Sequence, residues 1–332
     1  MDRVTMEDIA EKAGVSINTV SRALNDKPDI NDQTKKEILG IADELNYQPN
    51  RFAQGLRSSK TSTLGVIVAD IQNPFFSGLL KGIEKSAKEQ GYSIIVQDTD
   101  ENYENEISAV RTMLAEQIDG LLITPVQNES GTIEELQRSP LPFVLLGRYF
   151  EGLDTHYVVT DDVGGAYKAT EHLINKGHRD ITIINGPPHI SSSRERLIGY
   201  RKAMDANGLP VKDSMILEDA VTLRDGYELA KARFNSAEKP TAIFCYSDFV
   251  ALGVLQAARE IGLAVPGDLA VVGYDDSFFA KALEVPLTTV RIPKNQLGEK
   301  ALETSLELIN QEDKIDPKQV KLETELVIRA ST

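Results

Sequence analysis

Asn18, Ser21 and Arg22 are spaced so that a helix presents them away from Val20, Ala23 and Leu24. An amide and a guanidinium on one exposed face suit the edges of adenine and guanine in a major groove. A second group of polar and aromatic residues follows apolar runs much later in the chain. Phe75, Arg148, Ser192, Arg196, Tyr246, Ser247 and Asp275 bring together a carboxylate, two guanidiniums, hydroxyls and rings. Asp275 can accept from two hydroxyls, and Arg196 can donate to two sugar oxygens. Phe75 or Tyr246 can cover the apolar face of a ring. This is chemistry for holding a polyhydroxylated ligand. The motifs of turnover are missing: there is no Gly-x-Ser-x-Gly elbow and no Gly-x-x-x-x-Gly-Lys phosphate loop. His156, His172, His178 and His189 lack metal-ligand spacing, and His178 after Gly177 suits bracing a turn. Cys245 lies in an apolar run and reads as core. Neither an enzyme nor a cofactor is expected.

The elements that must position these groups follow from capping and periodicity. Thr5 caps a first helix, Asp8 suits its first turn, and Ile9, Ala10 and Ala13 form its apolar side. Gly14 stops it, and Ser16 caps a second helix whose buried side is Val20, Ala23 and Leu24. Two short helices joined at a glycine predict a helix-turn-helix, with Ile17 also on the outward face. Asn31 caps a third helix with a stripe of Ile38, Ile41, Ala42 and Leu45, ending before Pro49. Lys35 and Lys36 read as ordinary surface charge. Residues 50–57 can form about two helical turns, too few to be stable alone in water; Gly55 weakens them further. On the cost of ordering alone they read as a flexible tether.

From Leu64 short apolar strands alternate with amphipathic helices. Strands are expected at 64–69, 93–97, 120–124 and 143–146, with helices at 75–90 and 107–117. The rhythm restarts after Asp162, with helices at 164–176 and 194–207 and strands at 181–185, 241–245 and 269–273. The fold class is therefore α/β: two doubly wound parallel sheets behind a small helical domain. Ligands in such sheets bind beyond the C-terminal strand ends, here in the cleft between the two halves.

A chain of 332 residues with 41% apolar content accommodates two or three packed units. Its single cysteine excludes internal disulfides. The N-terminus lacks a signal peptide and no run reaches membrane-spanning length, so a cytoplasmic protein without membrane contact is expected. Net charge of −15 argues against general nucleic-acid binding. Residues 1–60 are nearly neutral, with nine basic and ten acidic side chains. The acidic remainder would repel phosphate, so DNA contact must be confined to the N-terminal domain and rest on paired copies and fit. Asp26, Asp29 and Asp32, close to the reading helix, are the residues that suit DNA least.

Val4-Thr-Met-Glu-Asp-Ile-Ala, Ala13-Gly-Val-Ser and Thr19-Val-Ser-Arg resemble the headpiece of the LacI/GalR family of bacterial repressors. The likeness runs on through residues 45–56, Asn73-Pro-Phe-Phe, Gly177-His-Arg, Pro266 with Asp268, Gly273-Tyr-Asp-Asp and Pro286-Leu-Thr-Thr. It implies a headpiece at 1–49, a hinge helix and linker at 50–61, and a periplasmic-binding-protein-like body at 62–332. The body would divide into 62–161 plus 292–323 and 162–291 plus 324–332. DNA contact would fall to Thr5, Ser16, Ile17, Asn18, Thr19, Ser21, Arg22, Asn50, Ala53 and Leu56, with Leu56 wedged between base pairs. Arg196 and Asp275 match effector-binding positions of the family. Ser247, Gly147 and Val221 depart from its usual residues, and the chain has no Trp, so the effector should differ from those of the best-known members. The resemblance implies a homodimeric repressor on a near-palindromic operator, controlled by a mono- or oligosaccharide. A sugar-binding protein with a vestigial headpiece is the rival. Some members dock a phosphorylated carrier protein. The matching helix here carries Glu299, Glu303 and Glu307 around Lys300, so no phosphoprotein corepressor is expected. The absence of a heptad tail before Thr332 predicts a dimer rather than a tetramer.

Overall fold

A computed structural model describes residues 4–47, 60–236, 239–311 and 316–332. The chain forms two compact units, Met1–Thr61 and Ser62–Thr332. The first unit holds α1 (Met6–Ala13), α2 (Ile17–Leu24) and α3 (Asp32–Glu44). Thr5 and Asp8 cap α1 reciprocally: Thr5 N donates to the Asp8 carboxylate at 2.7 Å, and Asp8 N to Thr5 Oγ1 at 3.4 Å. Gly14 closes the helix at φ 66°, a left-handed conformation suited to glycine. Ser16 Oγ accepts from Thr19 N at 3.1 Å and starts α2; Asn31 Oδ1 accepts from Gln33 N at 2.8 Å and starts α3. Ile9, Val20, Ala23 and Ile38 form the buried centre, with Leu24, Ile41 and Leu45 half-buried around it.

The body opens with β1 (Thr63–Val68), α4 (Pro74–Glu89), β2 (Ser93–Asp98), α5 (Tyr103–Ala115), β3 (Gly120–Ile123), α6 (Gly131–Arg138), β4 (Phe143–Leu146) and β5 (Tyr157–Thr160). The second half follows as α7 (Asp162–Asn175), β6 (Ile181–Ile184), α8 (Ser191–Ala206), β7 (Ile216–Leu217), α9 (Leu223–Phe234), β8 (Ala242–Cys245), α10 (Asp248–Glu260), β9 (Ala270–Asp275) and β10 (Thr288–Arg291). Then α11 (Lys294–Asn310) packs on α4, β11 (Gln319–Leu322) joins the first sheet and β12 (Glu325–Val327) the second. The sheet orders are β11-β5-β4-β3-β1-β2 and β12-β10-β9-β8-β6-β7. Pairing is parallel throughout except between β10 and β12. The chain thus passes between halves three times, after β5, β10 and β11.

Strands β1, β3, β6 and β8 are buried almost end to end, as expected of parallel strands covered on both faces by helices. Two glycines set close approaches behind the cleft. A Cβ at Gly199 would lie 2.2 Å from Val163 O, so α8 rests directly on α7. A Cβ at Gly273 would lie 2.2 Å from Asp248 Oδ1, so the start of α10 presses on β9. Two helices start three or more residues earlier than their sequence pattern predicts. The helix expected from residue 107 begins at Tyr103, because Asn102 Oδ1 accepts from Asn105 N at 3.1 Å. The helix expected from residue 194 begins at Ser191.

Candidate functional site

In the headpiece, Ile17, Asn18 and Arg22 are exposed on one side of α2, with Thr19 and Ser21 half-buried beside them. Their placement follows from the burial of Val20 and Ala23 at 0% and 1% exposure. Several of the expected contact residues carry local bonds. Thr5 Oγ1 donates to the Asp8 carboxylate at 2.8 Å, and Ser16 Oγ shares a 2.8 Å bond with Thr19 Oγ1. Arg22 is not a free reader: its Nε donates to Asp29 Oδ1 at 3.2 Å and its Nη2 is ion-paired with the same carboxylate. Lys35 pairs with Asp26, so it is not simply solvated. Asn50, Ala53 and Leu56 lie outside the described residues.

In the body, Phe75, Arg148, Ser192, Arg196, Tyr246, Ser247 and Asp275 all line one cavity between the two halves, at the C-terminal strand ends. It encloses about 620 Å³ of empty space, its open mouth included. Arg148 follows β4 through Gly147 and is 5% exposed. Its Nη1 and Nη2 both donate to Glu101, at 2.9 and 2.5 Å, and Nη1 also reaches Pro125 O at 2.9 Å. Burial opposes the Arg148 charge, but Glu101 outweighs it and holds the pKa above the ordinary arginine range. Arg196 projects from the first turns of α8. Its Nε donates to Asp162 Oδ1 at 2.8 Å and its Nη1 to Tyr246 O at 2.5 Å. The guanidinium carbon stacks 3.7 Å from the Tyr274 ring centre and 4.6 Å from that of Tyr246. Nε and Nη1 of Arg196 are thus engaged within the protein, while Nη2, with its two N–H groups, has no partner among the described residues.

Asp275 ends β9 with φ 106°, a conformation disfavoured for a residue with a side chain. It is 4% exposed, and its carboxylate has no hydrogen-bond partner among the described residues. Burial pushes its pKa up to about 6, against the pull of Arg196 and Lys294. Asp248, next along, is structural: its carboxylate accepts from Ser277 N and Thr289 Oγ1, each at 2.6 Å. Burial and the neighbouring Asp275 push it up to about 8. Ser247 Oγ is the cap of α10, accepting from Val250 N at 3.1 Å. Ser192 Oγ and the Tyr246 hydroxyl are bonded at 3.1 Å. Phe75, half-buried at the start of α4, meets Phe76 edge-on at 5.0 Å.

Side chains also tie the halves directly. Gln127 Oε1, after β3, accepts from Ser191 N at 2.9 Å. The Tyr149 hydroxyl donates to Glu195 at 2.9 Å, and Lys321 of β11 reaches the same oxygen at 3.1 Å. Sequence reasoning overlooked Glu101 and Asp162, the carboxylates that occupy the two arginines. Glu101 follows β2 by three residues and Asp162 follows β5 by two, so the strand-end rule could have found both. Thr124, after β3, also lines the cavity, and its buried Oγ1 has no hydrogen-bond partner among the described residues. His178 Nδ1 shares a 3.0 Å bond with Thr241 Oγ1, and Cys245 is buried in the core. Among the described residues no cluster suits a metal, and no helix is long and apolar enough to cross a membrane.

A model of bacterial regulatory proteins of the lacI family matches residues 5–50, and one of the periplasmic binding protein-like domain matches residues 170–332. Catabolite control protein A of Priestia megaterium is 36% identical over 330 residues, 99% of either chain. A solved lac repressor dimer, bound to operator and the anti-inducer ONPF, is 29% identical with a TM-score of 0.88 over 99% of each chain. The transcriptional regulator CelR in complex with cellobiose is 29% identical with a TM-score of 0.77, over 99% of this chain and 100% of that one. These are transcription regulators rather than enzymes, and they match both units of the chain. The protein belongs to the LacI family of bacterial DNA-binding transcription regulators.

Proposed function

We propose that this regulator is a repressor whose hold on its operator is set by a small sugar, a mono- or oligosaccharide, bound between the halves of the body. It acts in the cytoplasm as a homodimer on a near-palindromic operator, with no cofactor. The observation that carries this reading is Asp275. A buried carboxylate with unused acceptor oxygens facing a cavity suits a ligand rich in hydroxyl donors. The stacked Arg196 and the half-buried Phe75 ring line the same space and suit sugar oxygens and an apolar sugar face. The cellobiose seen on CelR is chemistry of this kind.

The switch follows from the three chain passages. A ligand that touches both sheets favours one setting of the halves over another. In a dimer that setting fixes the spacing of the two segments at residues 50–61. A helix of about two turns is marginal alone, so a small bias decides whether it forms. Thermal-shift screening of mono- and oligosaccharides, then gel shifts on DNA upstream of the gene, tests the reading. A sugar that raises the melting temperature should change operator affinity. A protein that binds operator tightly but ignores every sugar it binds would refute allosteric control.

A further inference from the structure

The cleft holds more negative than positive side chains. Asp70, Glu101, Asp162 and Asp275 line it, against Arg148 and Arg196. Both prongs of Arg148 are spent on Glu101, and Asp162 takes Nε of Arg196. Lys294, behind β9, donates to the carbonyls of Asp275 and Asp276. An incoming anion therefore meets the carboxylates of Asp70 and Asp275, finds both prongs of Arg148 engaged, and is left with only the Nη2 side of Arg196. The backbone fixes Glu101 in position, with φ at 51° and its N–H bonded to Ala69 O at 2.7 Å. The turn beyond β2 thereby aims the carboxylate at Arg148.

We propose that Glu101 is a specificity-determining residue that occupies Arg148, so that the cleft takes an uncharged polyol and rejects phosphorylated or carboxylated ligands. Without Glu101, Arg148 is a buried bidentate phosphate site. With it, the same place is filled by a fixed carboxylate that only donors can approach. This rests on the reading of the cleft as a sugar site, and it narrows the class of sugar.

The test compares glucose, ribose and cellobiose with glucose 6-phosphate, ribose 5-phosphate and glucuronate, by thermal shift and calorimetry on the full-length protein. The same set is run on Glu101→Gln, which keeps the volume and one acceptor but loses the charge. On the parent, a neutral sugar should bind and its charged counterpart should bind at least tenfold more weakly. In Glu101→Gln that gap should shrink at least tenfold. A charged ligand that binds the parent as tightly as its neutral counterpart overturns the inference and leaves a sugar site standing. A gap unchanged in Glu101→Gln removes Glu101 from the role. If that variant does not fold, the comparison on the parent alone still decides whether anions are rejected. Failure of both sets to bind refutes the sugar reading, and the inference with it.

Discussion

Replacing Asp275 by Asn should stabilise the protein at neutral pH while weakening its hold on the effector. The carboxylate is 4% exposed and its pKa is about 6, against an ordinary value of 3.8. An acid whose pKa is higher folded than unfolded binds its proton more tightly in the fold. Stability therefore falls as pH rises through the interval from 3.8 to about 6, and the loss is complete above it. A gap of about two units at 1.36 kcal/mol each amounts to roughly 3 kcal/mol at pH 7. Asn has no such charge, so Asp275→Asn should match the parent near pH 3.5 and exceed it by up to about 3 kcal/mol at pH 7. Asp248 adds to the gain, because the Asp275 charge helps to push its pKa up to about 8. The amide can still accept from one hydroxyl but offers a donor where the ligand needs an acceptor, so effector affinity should fall about 10- to 100-fold. Urea unfolding of both proteins at several pH values, with calorimetry at pH 7, provides the assay. Equal stability of mutant and parent across the range would show that Asp275 is not a strained charge. Unchanged sugar affinity would remove it from the site. For the parent, ligand donors favour the ionised carboxylate, so effector affinity should be flat above pH 6 and decline below it.

Arg22→Ala should weaken operator binding by about 1–3 kcal/mol if its guanidinium reads a base, measured by gel shift. Leu56→Ala should do so through DNA bending and hinge order, and normal affinity in both variants would sink the DNA-reading scheme. Tyr149→Phe deletes one bond across the cleft, to Glu195. It should weaken effector affinity about tenfold, the worth of a bond to a charged group, and unchanged affinity would show that this tie does not help to hold the halves on the ligand. A phosphorylated carrier protein should leave operator affinity unchanged, and light scattering should report a dimer. On α11, Lys300 is paired with Glu303, and Glu307 is paired with Lys318, so this face offers no basic cluster to a phosphoserine. A stable tetramer or carrier-enhanced operator binding would contradict this reading.

Much of this fold is legible because its signals are local and strong. Thr5, Ser16 and Asn31 each cap the helix expected of them, since a side-chain oxygen facing free N–H groups is a short-range effect. The fully buried strands β1, β3, β6 and β8 stand out as apolar runs for a related reason: both faces are covered, so no polar alternation dilutes the pattern. Strand β11 shows the opposite case. Gln319-Val-Lys-Leu lies at the sheet edge with alternate residues exposed, and nothing in four such residues marks a strand until β5 is beside it. Helix α9 is similarly obscured by its charged sequence, although Thr222 and Asp225 form a capping box as explicit as that of α1. The cleft repeats the lesson at the level of side chains. That Arg148, Arg196 and Asp275 face one space follows from their positions after strands or at a helix start. Which of them is free to act does not follow, because Glu101 is 47 residues from Arg148 and Asp162 is 34 from Arg196. The Arg22 pair is closer to being readable, since Asp29 lies only seven residues away, and its carboxylate already makes the reading helix an awkward partner for DNA. Residue types thus announce the chemistry a site can hold, while the pairing of opposite charges, set by folding over long separations, decides which part of that chemistry is left for a ligand.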